Sequence, residues 1–252
     1  MIVTGLACAL LIGVTLGLLG GGGSILTVPT FVMVLGYDPK LAIAMSLPVV
    51  GATSLVGAVG HWRRGNVELK SALPFGGAAM LGAFLGARGS VLLSGRVQLL
   101  VLGTVMIASA LSMLRSANRT TGGGETEERV AALPLRLAVG AAVGTLTGVI
   151  GIGGGFLFVP ALVVLARVPM RQAVGTSLAV ITMNAAAGFA GQPAFVEIPW
   201  NFVIVFTGTA TVGIILGTWI SRFVDQRTLK RAFALFLLLV AALVLWQNRG
   251  RL

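Results

Sequence analysis

Apolar residues run along this chain of 252 residues in long blocks, separated by short polar or glycine-rich stretches. That pattern predicts a series of membrane-crossing helices. Residues 2–35 are apolar throughout except for a glycine run at Gly20–Ser24. As one straight helix they would reach about 50 Å, against a hydrocarbon core of about 30 Å. The spacing therefore predicts either a strongly tilted helix or a break at Gly20–Ser24 into two pieces. The next block, Leu41 to Gly60, is entered through Gly36-Tyr37-Asp38-Pro39, where Asp38 suits an N-cap and Pro39 the first helical position. It ends in the basic stretch His61-Trp62-Arg63-Arg64-Gly65-Asn66. Further spans are expected at about 71–93 and 96–114, followed by a polar segment from Arg115 to Arg129 that reads as a flexible linker. A second interrupted stretch, Leu133 to Ala166, precedes spans near 170–191, 199–221 and 228–246 and a basic tail. No period-two alternation is present, and strands in lipid would have to close into a barrel. The expected fold is an all-α polytopic integral membrane protein with about eight membrane segments.

The two interrupted stretches are copies. Adding 131 to Gly17, Gly20, Gly22, Gly23, Leu26, Val28 and Pro29 gives Gly148, Gly151, Gly153, Gly154, Leu157, Val159 and Pro160. The same shift carries Ala42, Ser46, Leu47, Val49, Gly57 and Gly60 onto Ala173, Ser177, Leu178, Val180, Gly188 and Gly191, and Gly82, Gly86 and Arg96 onto Gly213, Gly217 and Arg227. The chain is thus read as a first repeat half (1–114), a polar linker (115–133) and a second repeat half (134–252).

Composition agrees with the pattern. Hydrophobic residues make up 56% of the chain and charged residues only 10%, far below the quarter usual in soluble domains. The net charge of +11 does not point to nucleic acid, because Lys and Arg fall between apolar blocks, where they orient the chain and meet anionic headgroups. Some are also positioned to attract an anionic substrate. Four full crossings per half would divide the 18 basic residues nine against nine. If each interrupted stretch instead returns to its own side, the halves are inverted. Arg63, Arg64, Lys70, Arg115, Arg119, Arg129, Arg136, Arg167, Arg171, Arg222, Arg227, Lys230 and Arg231 then share one side, leaving five on the other. The positive-inside rule favours that split, and inverted halves are common in secondary transporters. It also puts both termini outside the cytoplasm.

Glycine costs about 1 kcal/mol per helical position relative to Ala, so two long runs need another reason to exist. Irregular backbone at membrane depth survives where protein or a water-filled cavity surrounds it. After each break, Ser24 to Leu35 and Gly155 to Ala166 can restart as short helices whose first N–H groups are unpaired and carry the positive dipole end. Glycines there let an anion approach the backbone. The candidate substrate-binding residues are therefore Gly20, Gly21, Gly22, Gly23 and Ser24 in the first copy, with Gly151, Gly153, Gly154 and Gly155 in the second. Thr27, Ser46, Thr176, Ser177 and Asn184 join them as polar groups inside apolar segments, Ser46 and Ser177 at equivalent positions. Isolated glycines such as Gly82 and Gly86 read as helix-packing residues. No Asp or Glu lies mid-span, which argues against a carboxylate proton relay. His61 reads as an interfacial anchor, and Trp62, Trp200, Trp219 and Trp246 fall near span ends, as an aromatic belt requires. The lone Cys8 allows no internal disulfide or cysteine metal site, and no cofactor is expected.

The paired glycine runs ending in Val-Pro, together with Gly175-Thr176-Ser177-Leu178, resemble the sulfite exporter TauE/SafE family over about residues 5–246. The first half differs at Ala44-Met45-Ser46, where a Thr would precede the Ser. The resemblance implies a bacterial-type inner-membrane, multi-pass permease that exports sulfite, a sulfonate or a related sulfur oxyanion. Its expected partners are a small anionic substrate and the lipid bilayer, and a homo-oligomer is compatible with it. Two alternatives stand beside it: a permease for another small anion, and an intramembrane hydrolase using Ser24 with His61.

Overall fold

The computed structural model of the chain describes residues 2–90, 95–119, 133–150, 155–166, 168–190 and 198–249. Among them, all regular structure is helical. The first half comprises α1 (Ile2–Leu19), α2 (Gly22–Pro29), a π-helical turn π1 (Thr30–Val34), α3 (Pro39–Trp62), α4 (Leu69–Ser90) and α5 (Gly95–Arg119). The second comprises α6 (Leu133–Ile150), α7 (Gly155–Pro160), π2 (Ala161–Leu165), α8 (Met170–Ala190), α9 (Trp200–Ile220) and α10 (Gln226–Arg249). The stretches Leu41–Trp62, Leu100–Ala117 and Trp200–Ile220 are long and apolar enough to cross a membrane, and shorter apolar helices accompany them. Pro39 opens α3, as its sequence context predicts. The linker expectation is corrected at one end: α5 continues through Arg119, so 115–119 are helical. Residues 120–132 lie outside the described residues.

The first interrupted stretch breaks rather than tilts. After Leu19 the chain turns at Gly20, whose φ of +78° lies in the left-handed region that costs a side-chain-bearing residue roughly 1–2 kcal/mol. It then doubles back along α1. Gly23 lies against Ile12, Thr15 and Leu16, and Leu35, just past π1, lies against Gly5 near the start of α1. The reversal is therefore a hairpin that returns to the end where it began.

Each returning arm changes helical pitch just after its proline. Pro29 and Pro160 have no N–H, and a proline ring crowds the carbonyl four residues back, so the i→i−4 ladder cannot run through them. The ladder slips to π geometry: Leu35 N–H donates to Thr30 O at 3.1 Å and Ala166 N–H to Ala161 O at 2.9 Å. Aromatic rings pin the first arm. Phe31 is fully buried, with its ring centroid 4.8 Å from Phe206 on α9 and 6.3 Å from Tyr37.

Helices from the two halves pair crosswise. α1 runs alongside α9 in the same direction, with Gly13 against Ala210, Gly17 against Ile214 and Thr218, Gly213 against Leu10 and Gly217 against Val14. α4 and α6, their counterparts under the shift of 131, repeat this with Gly82 against Ala141, Gly86 against Thr145, Gly140 against Phe75 and Gly144 against Ala79. At each of these glycines an added Cβ would strike backbone of the facing helix. These seams use small residues to gain van der Waals contact where lipid offers no hydrophobic drive. Gly82 and Gly86 are thus packing residues. α3 and α8 pack antiparallel, Gly51 meeting Ala185, Gly57 meeting Leu178 and Gly175 meeting His61. α5 lies along α10, with Gly103 against Leu245 at one end and Lys230 Nζ 3.4 Å from Ser116 Oγ at the other.

Candidate functional site

The two hairpin arms meet at their glycine openings. Gly21, the N-cap of α2, faces the carbonyl of Gly155 at the first position of α7, and a Cβ built on Gly21 would also fall 3.0 Å from Phe156 Cα. A Cβ on Gly155 would in turn fall 2.8 Å from Ser24 Oγ. Ser24 and Gly155 are counterparts under the shift of 131, so the molecule's internal symmetry brings equivalent positions into contact here. Gly20 completes the cluster from the side, because its missing Cβ would sit 2.8 Å from Ser177 Oγ and 2.8 Å from Val174 Cα. Gly20, Gly21, Ser24, Gly155 and Ser177 thus form one small-residue junction between α2, α7 and α8. Two chains approach backbone to backbone only where no Cβ intervenes.

The other candidates divide. Gly22 faces Phe236 of α10, and Gly23 faces α1, so both let the hairpin close rather than line the junction. Thr27 is fully buried, and its hydroxyl is 3.3 Å from Gly23 O. Ser46 and Ser177 are buried, and each returns its hydroxyl to its own helix, Ser46 to Ile43 O at 2.7 Å and Ser177 to Val174 O at 2.8 Å. Ser24 donates likewise to Gly21 O at 2.7 Å. Such bonds are locally satisfied and can be exchanged for a ligand without leaving a hydroxyl stranded. Thr176 has a structural role: its Oγ1 accepts the N–H of Glu68 at 3.1 Å, immediately before α4. The bond makes it a cap for α4 provided by the opposite half. Asn184 is half-buried, and its Oδ1 is buried without a hydrogen-bond partner. Ser54 Oγ is in the same condition on α3. Gly151, Gly153 and Gly154 lie outside the described residues.

His61 differs from its sequence reading. It is 2% exposed, with Nε2 3.3 Å from Gly17 O, and so is a packed group rather than an interfacial anchor. It sits on the last turn of a helix wedged between α1 and α8, a placement that needs tertiary information. Trp62, Trp200 and Trp219 are each about half exposed near helix ends, as a belt requires. The Ser24–His61 pairing that a hydrolase would need is not formed: Ser24 donates to Gly21 O, and His61 Nδ1 has no hydrogen-bond partner. Among the described residues no cluster of His, Cys, Asp or Glu could hold a metal ion.

Residues 5–244 match the family described as Sulfite exporter TauE/SafE. A probable membrane transporter protein of Xylella fastidiosa (strain 9a5c) is 35% identical over 242 residues, spanning 94% of this chain and 92% of that one. A probable membrane transporter protein of Bacillus subtilis (strain 168) is 27% identical over 260 residues, spanning 95% of each. No solved structure matches the chain. With the family pattern running almost end to end over both glycine runs, this chain belongs to the sulfite exporter TauE/SafE family and is a membrane transporter.

Proposed function

We infer that the protein exports a small sulfur-containing oxyanion or organosulfonate from the cytoplasm across a bacterial-type inner membrane. The substrate passes through a site at the junction of the two glycine-opened arms. The observation that carries this reading is the contact of Gly21 and Ser24 with Gly155, which joins equivalent positions of the two halves. The opening turn of α2 has N–H groups without partners inside their own helix, and α7 opens in the same way. Glycine lets an anion lie against them. Ser24 and Ser177 supply further polar contacts there, and Asn184 lies about two turns farther along α8.

Alternating access then follows from two inverted halves. The antiparallel packing of α3 on α8 and the return of the first hairpin toward the start of α1 support inversion. So does the thirteen-to-five division of basic residues it produces. In this orientation the termini lie outside and the ends of α3 and α9 face the cytoplasm. Export of an anion from a cell that is negative inside gains about 2.3 kcal/mol per charge per 100 mV. No mid-span carboxylate relay is required.

The test is efflux from proteoliposomes loaded with sulfite, thiosulfate, sulfate, sulfoacetate or a non-sulfur anion, under imposed voltage and pH gradients. Voltage-dependent movement of a sulfur oxyanion is expected. Failure of every anion to move under every gradient would sink the reading, whereas selective movement of a non-sulfur anion would keep the site and change its substrate. A reporter active only in the cytoplasm, fused to the C-terminus, should stay silent; activity would overturn the inverted arrangement.

A further inference from the structure

A basic cavity lies beside the first chain reversal. Its volume is about 50 Å³, and its lining includes His61, Arg64, Asn66, Arg171, Ser221 and Arg222, with no acidic residue. One water needs about 10–15 Å³, so the space suits a ligand of a few heavy atoms and excludes a nucleotide or sugar phosphate. The cavity is built by the fold. Gly65, at φ +70°, turns the chain after α3 so that Asn66 N–H donates to His61 O at 2.9 Å. Arg64 reaches across to α9, its Nη1 donating to Thr218 O at 2.6 Å. Arg171, on the first turn of α8, donates through Nη2 to Arg222 O at 3.3 Å and Val224 O at 3.1 Å. The Arg222 guanidinium lies over the Trp219 and Phe223 rings, at 4.7 and 4.4 Å. Arginines that serve only to orient a membrane protein reach toward headgroups; Arg64 and Arg171 are instead anchored on backbone carbonyls around a space.

Two polar atoms at this cavity are buried and unpartnered: Arg171 Nε, a donor, and His61 Nδ1. A carbonyl only accepts, so His61 Nε2, which faces Gly17 O, is the protonated nitrogen in the neutral ring. Nδ1 is then left without a partner on a side chain 2% exposed. The cavity also adjoins the reversal itself. Val174 lines it, and Val174 Cα is 2.8 Å from where a Cβ on Gly20 would sit.

We propose that this cavity is a second anion site, one that holds an oxyanion with a single phosphorus or sulfur centre beside the Gly20 reversal. In the export reading, on which this role rests, it is the cytoplasmic loading site. Arg171, Arg64 and Arg222 supply the charge, and Asn66 and Ser221 supply neutral polar contacts. His61 Nδ1, the bare nitrogen of the neutral ring, accepts a hydrogen bond from an anion that carries a proton. The other charged groups lining the cavity with His61 are Arg64 after α3, Arg171 on α8 and Arg222 after α9, while α1 presents Gly17 O to the ring and α10 presents Leu229 to the cavity. The mirror-related end lacks this chemistry: His61, Arg64, Asn66 and Arg222 correspond to Gln192, Phe195, Glu197 and Val91, with only Arg171 matched by a basic residue, Lys40. The equivalent positions of the other half therefore do not carry this set of anion-attracting residues.

The test is calorimetric titration of the purified full chain in neutral detergent with sulfate, thiosulfate and inorganic phosphate. In parallel, nanodiscs of phosphatidylcholine with and without phosphatidylglycerol are analysed for retained lipid. Binding of a free oxyanion that falls roughly tenfold or more in Arg171→Gln and Arg64→Gln supports the site. Phosphatidylglycerol retention that depends on the same two residues also supports it and names a headgroup phosphate as the occupant. Arg64→Lys should recover part of the loss, and matched melting curves show that the variants are folded. At about pH 7 inorganic phosphate, which carries a proton, should bind more tightly than sulfate, which carries none, and this preference should shrink in His61→Phe. No oxyanion or headgroup binding, or binding that ignores both arginines, overturns the site, and equal binding of phosphate and sulfate by the unmodified protein overturns the role given to His61. The two readings fail separately: binding without any anion efflux removes the transport reading and leaves the cavity a ligand site, whereas efflux with no binding here does the reverse.

Discussion

The two reversal arms share a backbone and differ in chemistry. Both open on glycine, reach Val-Pro after the same number of residues and slip into a π turn at matching positions, Thr30–Val34 and Ala161–Leu165. Yet the first arm carries Ser24, Thr27 and Thr30 where the second carries Gly155, Phe158 and Ala161. The aromatic packing moves accordingly. Phe158 packs edge-on against Phe75, with centroids 5.9 Å apart, while Phe206, the counterpart of Phe75, finds Phe31 instead. Duplication preserved the geometry of the arms, and divergence gave polarity to one copy. The same asymmetry extends to the basic cavity, whose lining the equivalent positions of the sequence do not reproduce.

The largest effect that bears on this comparison is expected where the arms touch. Gly21→Val puts a branched side chain against the backbone of Gly155 and Phe156, and we expect loss of folded, monodisperse protein in size-exclusion chromatography. Gly77→Ala, at a helical position with nothing within 4 Å, should leave yield unchanged or slightly raised. Equal behaviour of the two variants would mean that the junction tolerates separation.

Making the arms alike separates shared geometry from divergent chemistry. Ser24→Gly should keep the fold and lower kcat/KM for anion efflux by about 2- to 12-fold, the range of one hydrogen bond. Gly155→Ser should be the worse change, because its Cβ would meet Ser24 Oγ at 2.8 Å and Ile181 Cδ1 at 2.9 Å. The reverse ranking would show that polarity, not closeness, is what the second arm lacks.

Smaller effects test how the halves support one another. Thr176→Val removes the acceptor for Glu68 N–H and should cost about 1 kcal/mol, read as a fall in Tm. Met45→Thr, at the equivalent position, should gain little, since Pro199, which precedes α9 as Glu68 precedes α4, has no N–H to donate. Smallest is Asp225, at the start of α10. The Thr228 hydroxyl, then the Thr228 and Arg227 backbone N–H groups, hold its carboxyl below the usual carboxylate range. A lowered folded-state value means that this contribution is complete above the unfolded pKa and is lost as pH falls through the folded one. The Tm gap between the unmodified protein and Asp225→Ala should therefore be present at neutral pH and close in acid.

Much of this architecture is legible in one sequence because membrane helices declare themselves by length and hydropathy, and a gapless repeat declares itself by identity. Pro39 at the start of α3, the break after Leu19 and the packing role of Gly82 and Gly86 follow from local rules. The parts that sequence reasoning missed depend on which helix faces which. Thr176 looks like a site hydroxyl until α8 is set against the start of α4. Gly22 and Gly23 look like their neighbours until one is seen to face α10 and the other α1. His61 looks interfacial because it ends an apolar block, and only the packing of α1 and α8 around it shows that it is enclosed. The basic cavity draws on residues as far apart as His61 and Arg222, and the only sequence signal for it was an excess of arginine at one end.

The crosswise seams carry a consequence for how the protein is made. α1 emerges from the ribosome first, but the surface it needs, α9, is among the last to be synthesised. Until then Gly13 and Gly17 face lipid or a temporary neighbour, and the first half has no complete partner set of its own. α6, by contrast, emerges after α4 and can dock at once. Assembly is thus ordered, with the α4–α6 seam closing during synthesis and the α1–α9 seam closing near its end. The two halves, expressed as separate chains, should accumulate only when made together.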